Sequence, residues 1–423
     1  MAYASSLTRS AFIALCVVGC QPVCIALGQS APVQLVCVDD DAIGYATFQS
    51  HNQKVVANGH GIFMTHLRRR NVEYTAQTWR LSRSTDRGRS FATVYEATHA
   101  TNPPVIETDT DGNIYLVRAD FADGNAYLYR FLAEKDFRDP VITTIPNGAA
   151  GKYAMALDSA RNRIYFFAHN NTFHVIDLDG RVRSSLQLVK PGKDAVLQYP
   201  LLYLDRDGSL HAAWTTQMHD RYLYWDIHHM LSRDAGRTWH DLRNHAIKPP
   251  VVADHTGPAL RISLDDEFES HTWLSSFLVN DRKVHFLYLA QTDPPRQHYV
   301  RYDVATGRRE IDRQPTFQGT ANRVHGLDGF FAVRADRQDS PLYCVGRDKE
   351  GHVVCLSSDD NGDTWQDHAR SDRTFNVYSI GGCRHVTDDG HIIGSFTDSQ
   401  SSNQATAHNS SVYFFKIRTA PRD

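Results

Sequence analysis

Tyr199 stands in the phrase LQYP beside Gln198, and histidine recurs along the chain in polar and aromatic company. With 22 histidines in 423 residues, proton-transfer groups are unusually frequent. An imidazole gains or loses a proton near neutrality, and a tyrosine hydroxyl does so once activated. Asparagine, glutamine, tyrosine and histidine both donate and accept hydrogen bonds, as sugar hydroxyls do. The phrases that combine these types are SHNQK (His51, Asn52), GKY (Lys152, Tyr153), LQYP, SHTW (His271), NRVH (Arg323, His325) and NVYS (Asn376, Tyr378). His66, Asp120 and His169 add to them. The expected catalytic set is Tyr199, His169, His51 and His66. The expected binding set is Arg323, His325, Gln198, His271, Tyr153, Asn52 and Tyr378. No His, Cys and Asp cluster has convincing metal spacing, and the adjacent His228 and His229 point oppositely on a strand. We expect no cofactor and no essential transition metal; a structural calcium in a loop is left open.

These residues need elements to hold them. Residues 106–117 (IETDTDGNIYLV), 202–214 (LYLDRDGSLHAAW) and 385–396 (HVTDDGHIIGSF) each read strand, Asp-Gly turn, strand. Residues 155–167 (MALDSARNRIYFF) are a variant, which sets a period of about 48 residues. A second pattern, S-x-D-x-G-x-[ST]-[WF], occurs as STDRGRSF, SRDAGRTW and SDDNGDTW, starting at Ser84, Ser232 and Ser358. Its Asp accepts backbone N–H bonds within its own turn, and its Gly tolerates positive φ. Its aromatic residue plugs between sheets. This pattern resembles the Asp-box, or BNR, repeat of the sialidase-like β-propeller superfamily. The resemblance implies an all-β propeller of four-stranded antiparallel blades, seven in number with six as the alternative. Blades are expected to start near Gln53, Val105, Tyr153, Pro200, Thr272, Gly329 and Ser379. The early strand PVQLVCVDD would join the last, SSVYFFKIR, and close the ring.

A propeller sorts residues by face. Asp-Gly turns join first to second strands and Asp-boxes join third to fourth, so both lie on one face. The opposite mouth receives the approach to each inner strand and the loop after each second strand. The expected site residues all fall there, and ligand sites favour such channel mouths. Residues 254–270 would form a long loop beside the mouth.

The stretch YPLLYLDRDGSLHAAW, from Tyr199, resembles a BNR-repeat group that includes propeller polysaccharide lyases. In that group a Tyr and neighbouring histidines carry β-elimination on a uronic acid, and an Arg neutralises the carboxylate. Tyr199 matches the Tyr, and His169 is a neighbouring histidine by position. Thr215 and Thr216 stand where the Arg is expected, and Arg323 is the substitute candidate. Hydrolysis would instead use paired carboxylates, for which Asp120, Asp254, Glu269 and Asp398 are available. Sialidases need three arginines, and their early Arg-Ile-Pro phrase is absent. The expected activity is lyase or hydrolase action on an acidic glycan. A non-catalytic glycan-binding propeller and an exo-sialidase are the alternatives.

The formal charge of −3 argues against an obligate nucleic-acid binder. Arg9 and the apolar residues 11–19 read as a signal peptide ending at Gly28, with a lipobox-like phrase at Cys20. Residues 29–423 are then one exported domain with no transmembrane segment, expected to be a monomer. Cys344 and Cys355 flank a hairpin symmetrically, so a bridge there, and one from Cys37 to Cys383, stand against four free thiols.

Overall fold

The computed structural model describes residues 31–73, 77–119, 124–168, 170–219, 223–253, 260–263, 270–293, 296–313, 324, 328–335, 340–400 and 408–419. The leader and its Cys20 lie outside them. The Asp-Gly and Asp-x-Gly turns fold the described chain into antiparallel, mostly four-stranded units. In the first, Val55–Asn58, Gly61–Arg69, Gln77–Ser84 and Ala92–Thr98 follow one another outward. The later units begin at the inner strands Val105–Thr108, Tyr153–Asp158, Ala195–Leu204, Thr272–Asn280, Phe330–Ala332 and Val377–Gly382. Each inner strand lies against the next, and Val55–Asn58 lies against His391–Asp398 of the last unit, so the units form a ring. The protein is an all-β propeller.

The N-terminal strand closes the ring. Ala31–Ala42 pairs antiparallel with Ser410–Arg418, with Val33 opposite Ile417 and Cys37 opposite Tyr413. Unit starts fall close to the expected ones except in the fourth, where Ala195–Leu204 begins before Pro200. Its pairing shifts between Gln198 and Leu201, and a bulge accommodates a proline that a regular ladder would not.

Core clusters bridge neighbouring units. Ile227, Phe277, Phe286, Val300, Phe331 and Trp365 pack as one cluster across the fourth, fifth and sixth. The S-x-D-x-G turns stitch the ring further. Asp234 Oδ1 accepts N–H bonds from Arg237 and Thr238 at 3.1 and 2.8 Å, and Oδ2 accepts from Thr238 Oγ1 at 2.8 Å. Ser232 Oγ accepts from the Gly236 N–H at 2.8 Å. Trp239 then lies edge-on to Phe173 of the preceding unit, ring centroids 5.5 Å apart. Gly236 has φ +86°, and a Cβ there would sit 2.5 Å from that same Phe173. Phe91 meets Phe414 at 5.0 Å and Trp365 meets Tyr299 at 5.3 Å in the same way. Each turn therefore fixes its own unit and docks it on the one before.

Of the two alternatives for the cysteines, the fold holds free thiols. Cys344 pairs with Leu356 and Cys355 with Val345, so the two thiols occupy successive positions of the ladder and opposite faces. They enter different core clusters, and all four described cysteines are free thiols. A bulge at Asp226, with φ +57°, interrupts the alternation of its strand and puts Trp225 and Ile227 on opposite faces. Among the described residues, no helix is long and apolar enough to cross a membrane.

Candidate functional site

The polar run QSHNQK, residues 49–54, precedes the first inner strand, and every member is buried. Such a run survives burial only if its groups find partners. Gln49 Nε2 donates to the Gly151 carbonyl at 3.1 Å, and Asn52 Nδ2 donates to Gln49 Oε1 and to the Tyr153 carbonyl. Lys54 Nζ donates to the carbonyls of Gln49 and Asn52 at 2.9 and 3.2 Å. Gln53 donates to Glu107 Oε2 at 2.9 Å and accepts the Arg384 N–H at 3.1 Å. Ser50 Oγ donates to Asp328 Oδ1 at 2.7 Å. The segment thus crosses the ring's centre and ties five units together. Gly381 permits the crossing, since a Cβ there would lie 2.5 Å from the Ser50 carbonyl oxygen.

This centre is rich in nitrogen bases. Burial, then the charges of Lys54, Arg384 and Lys152, depress the His51 pKa well below its usual value, so the ring is neutral. Its Nε2 is buried without a hydrogen-bond partner among the described residues. Burial and Arg384 likewise depress Lys54. Burial raises Glu107 to about 7, against the opposing pull of Arg384 and Gln53.

Tyr199 stands over this floor. It occupies the bulge of its strand with φ +46°, a conformation that turns the side chain out of the regular alternation. His51 meets its ring edge-on at 5.6 Å. Tyr224 and Trp273 approach at 5.4 and 5.7 Å, and Phe48 at 6.5 Å. Lys152 Nζ lies 4.3 Å from the ring centroid and donates to Gln198 Oε1 at 2.7 Å. A second inner-strand bulge, at Ser379 with φ +51°, presents Tyr378, which stacks on Phe48 at 6.3 Å. Together Phe48, His51, Tyr199, Trp273, Asp328 and Tyr378 enclose a crevice of about 40 Å³.

The expected residues separate into groups. Tyr199, His51, Gln198 and Tyr378 come together at the crevice or on its wall. His271 stands behind the wall, stacked on Trp273 at 5.8 Å; its Nδ1 accepts the Tyr224 N–H at 3.2 Å. In the neutral ring that leaves the proton on Nε2. Asn52 Nδ2 is spent inside the buried run, and its Oδ1 is buried without a hydrogen-bond partner among the described residues. Tyr153 contributes its carbonyl there, while its ring packs in the core against Phe166. His66 belongs to another network: its Nε2 bonds Asp39 Oδ2 at 3.2 Å, and Arg80 bonds the same oxygen at 3.0 Å. Burial would raise the Asp39 pKa, but His66 and Arg68 hold it at about 2. His169, Arg323 and His325 lie outside the described residues, as do Asp120, Asp254 and Glu269. Thr215 and Thr216 are fully buried, and Thr216 Oγ1 meets His228 Nδ1 at 3.3 Å.

Phe48, Trp273, Tyr224 and Asp328 were not singled out in the sequence. Trp273 and Tyr224 alternate like ordinary strand residues, and Asp328 reads as half of an Asp-Gly turn. Asp328 is the one carboxylate of the crevice among the described residues, and both its oxygens are taken, by Ser50 Oγ and the Ser379 N–H. Asp348, Glu350 and His352 bring potential metal ligands within 4.8 Å of one another, but Arg370 already neutralises Asp348 Oδ2 at 3.0 Å. Two larger hollows, of about 480 and 520 Å³, open on the turn face and share Ala335 and His385. They are lined mainly by hairpin turns, and the first also carries Tyr203 and His385, ring centroids 6.3 Å apart, beside Arg206.

No protein-family profile and no curated protein sequence matches the chain. Solved structures do. An ulvan lyase of a polysaccharide-lyase family, PL25, bound to a GlcA(1-4)Rha3S repeat, superposes with a TM-score of 0.65 at 10% identity, covering 90% of this chain and 95% of that one. The polysaccharide lyase Uly1 superposes with a TM-score of 0.62 at 10% identity, covering 92% and 100%. The chain shares the fold of these lyases. At that identity the likeness is one of architecture, and the chemistry has to be argued from the crevice.

Proposed function

We propose that the protein is a carbohydrate-active propeller that cleaves an acidic glycan by β-elimination, with Tyr199 and His51 as its proton-transfer pair. The observation that carries this reading is the assembly at Tyr199: a hydroxyl-bearing ring turned out by a bulge, a neutral imidazole beside it, and a cation on its face. Elimination removes the proton α to a uronate carboxylate, breaks the bond from the β carbon to the glycosidic oxygen, and leaves a double bond between the two carbons. The unpartnered Nε2 of neutral His51 takes the proton. The Tyr199 hydroxyl protonates the departing oxygen. Trp273 offers apolar surface to the sugar ring, with Tyr224 packed against it at 4.4 Å. Hydrolysis is less well supported: its carboxylate pair is not assembled among the described residues, and Asp328 is internally bonded. The solved lyases of the same fold, one of them bound to a glucuronate-containing repeat, agree with this choice.

Removal of residues 1–28 as a signal peptide and action outside the cytoplasm, as a monomer, complete the proposal. The test is a panel of uronate-containing and sialylated glycans, with ultraviolet absorbance of unsaturated products followed beside reducing ends. New ends with absorbance support elimination. New ends without it mean hydrolysis, and binding without either means a lectin.

A further inference from the structure

We propose that Lys152 is the residue that receives the substrate's carboxylate, and so selects uronate-bearing over neutral or esterified glycans. The inference rests on the reading of the Tyr199 crevice as an acidic-glycan site and names the group that makes it one.

A half-buried ammonium normally sits beside a carboxylate, because desolvating a charge without compensation is costly. Lys152 has no such neighbour among the described residues. Its hydrogen bond goes to the neutral Gln198 amide oxygen at 2.7 Å, and its other support is the faces of Tyr199 and Tyr224, at 4.3 and 5.6 Å. Aromatic faces and an amide hold an ammonium in place without cancelling its charge. Burial alone draws its pKa down to about 8, with no acidic group pulling the other way. The charge is therefore preserved at neutral pH and left for an incoming anion.

Two other central cations among the described residues, Lys54 and Arg384, are already committed. Lys54 donates to two backbone carbonyls inside the buried run, and Arg384 donates to the Leu202 carbonyl at 2.6 Å. Both are almost fully buried, whereas Lys152 is only half-buried. Position matters as much as charge. Proton removal α to a carboxylate builds negative charge on that carboxylate, so a cation there stabilises the transition state more than the ground state. Lys152 stands on the Tyr199 face and close enough to His51 to depress it. A carboxylate bound to it brings the neighbouring carbon to the proton-transfer pair.

The test uses the mature chain, a glucuronate oligosaccharide, the methyl ester of the same oligosaccharide, and a sulfated neutral oligosaccharide. Binding is measured calorimetrically at pH 7 for the wild type, Lys152→Gln and Lys152→Arg. We expect Lys152→Gln to weaken the glucuronate ligand by roughly 10- to 100-fold, the range for a hydrogen bond to a charged group. The ester should bind both proteins alike and weakly, and Lys152→Arg should retain part of the preference. A second readout needs no variant to fold: the Lys152 ammonium, followed by NMR in the wild type, should titrate to higher pH when the glucuronate ligand is added and stay unmoved with the ester. Equal loss for acid and ester would make Lys152 structural and overturn the proposal. Undiminished acid binding in Lys152→Gln would overturn it while leaving the glycan reading intact. Preference for the sulfated neutral ligand would make the site a sulfate reader and overturn it as well. No acidic binding by the wild type would sink both readings.

Discussion

Lys152 Nζ sits 4.3 Å above the ring of Tyr199, and the two side chains come from the inner-strand approaches of neighbouring propeller units. Ring closure alone does not produce this contact. It needs the bulge that gives Tyr199 its φ of +46° and the Gln198 amide that anchors the ammonium.

Asp234→Ala removes the carboxylate that gathers two backbone N–H groups and the Thr238 hydroxyl. The expected cost is about 1–3 kcal/mol in denaturant unfolding. Turnover per folded molecule should stay near wild type, because the turn lies on the face opposite Tyr199. A folded variant without activity would contradict that placement.

Gly381→Ala should damage function as well as stability. The added Cβ meets the Ser50 carbonyl oxygen at 2.5 Å, and Ser50 adjoins His51 in the buried run. Displacing the run changes the floor beneath Tyr199. Thermal melting together with turnover checks this; a variant with a wild-type melting temperature and rate would show that the close approach is relaxed in solution.

Acid should destabilise the fold beginning near pH 6.5. Burial holds His174 and His385 down to about 4 and His228 and His285 to about 3, with His51 and His229 also well below normal. Below about pH 6.5 the unfolded chain binds protons that the folded chain refuses, so stability falls as pH falls. Each such histidine contributes a slope of at most about 1.4 kcal/mol per pH unit until its folded pKa is reached. Urea titrations at stepped pH measure the total, and His285→Asn should reduce the slope. A flat profile from pH 7 to 5 would mean these rings are protonated in the folded state.

The mature chain should release four titratable thiols on denaturation without reductant, since Cys37, Cys344, Cys355 and Cys383 are unpaired. Fewer than four would mean a bridge, either from Cys37 to Cys383 or one that takes Cys344 and Cys355 from their opposite faces of the sheet.

Much of the fold was legible because turns carry residue-type signatures. Asp-Gly turns in three units and S-x-D-x-G turns in three marked the strand order, and the joining of the first strand to the last followed from ring closure. Bulges carry no comparable signature. Tyr199, Asp226 and Ser379 adopt positive φ although none is glycine, and regular alternation misplaces their neighbours. Polar residues near a mouth also look alike in sequence whether they face a ligand or each other. Asn52 and His66 faced protein groups, and Gln198 proved to be the anchor of Lys152. Lys152 itself was visible only as one of many polar approach residues, because what distinguishes it is the lack of a carboxylate around it among the described residues.

The central claim is that Tyr199 moves a proton in an elimination reaction. Tyr199→Phe keeps the ring that packs against His51, Tyr224 and Trp273 and removes only the hydroxyl. The decisive measurement is the rate of unsaturated-product absorbance on the most active uronate glycan, for wild type and Tyr199→Phe at matched folded concentration. The account predicts a fall in kcat of roughly two to four decades with the melting curve unchanged. A folded Tyr199→Phe protein that turns over at the wild-type rate would contradict it.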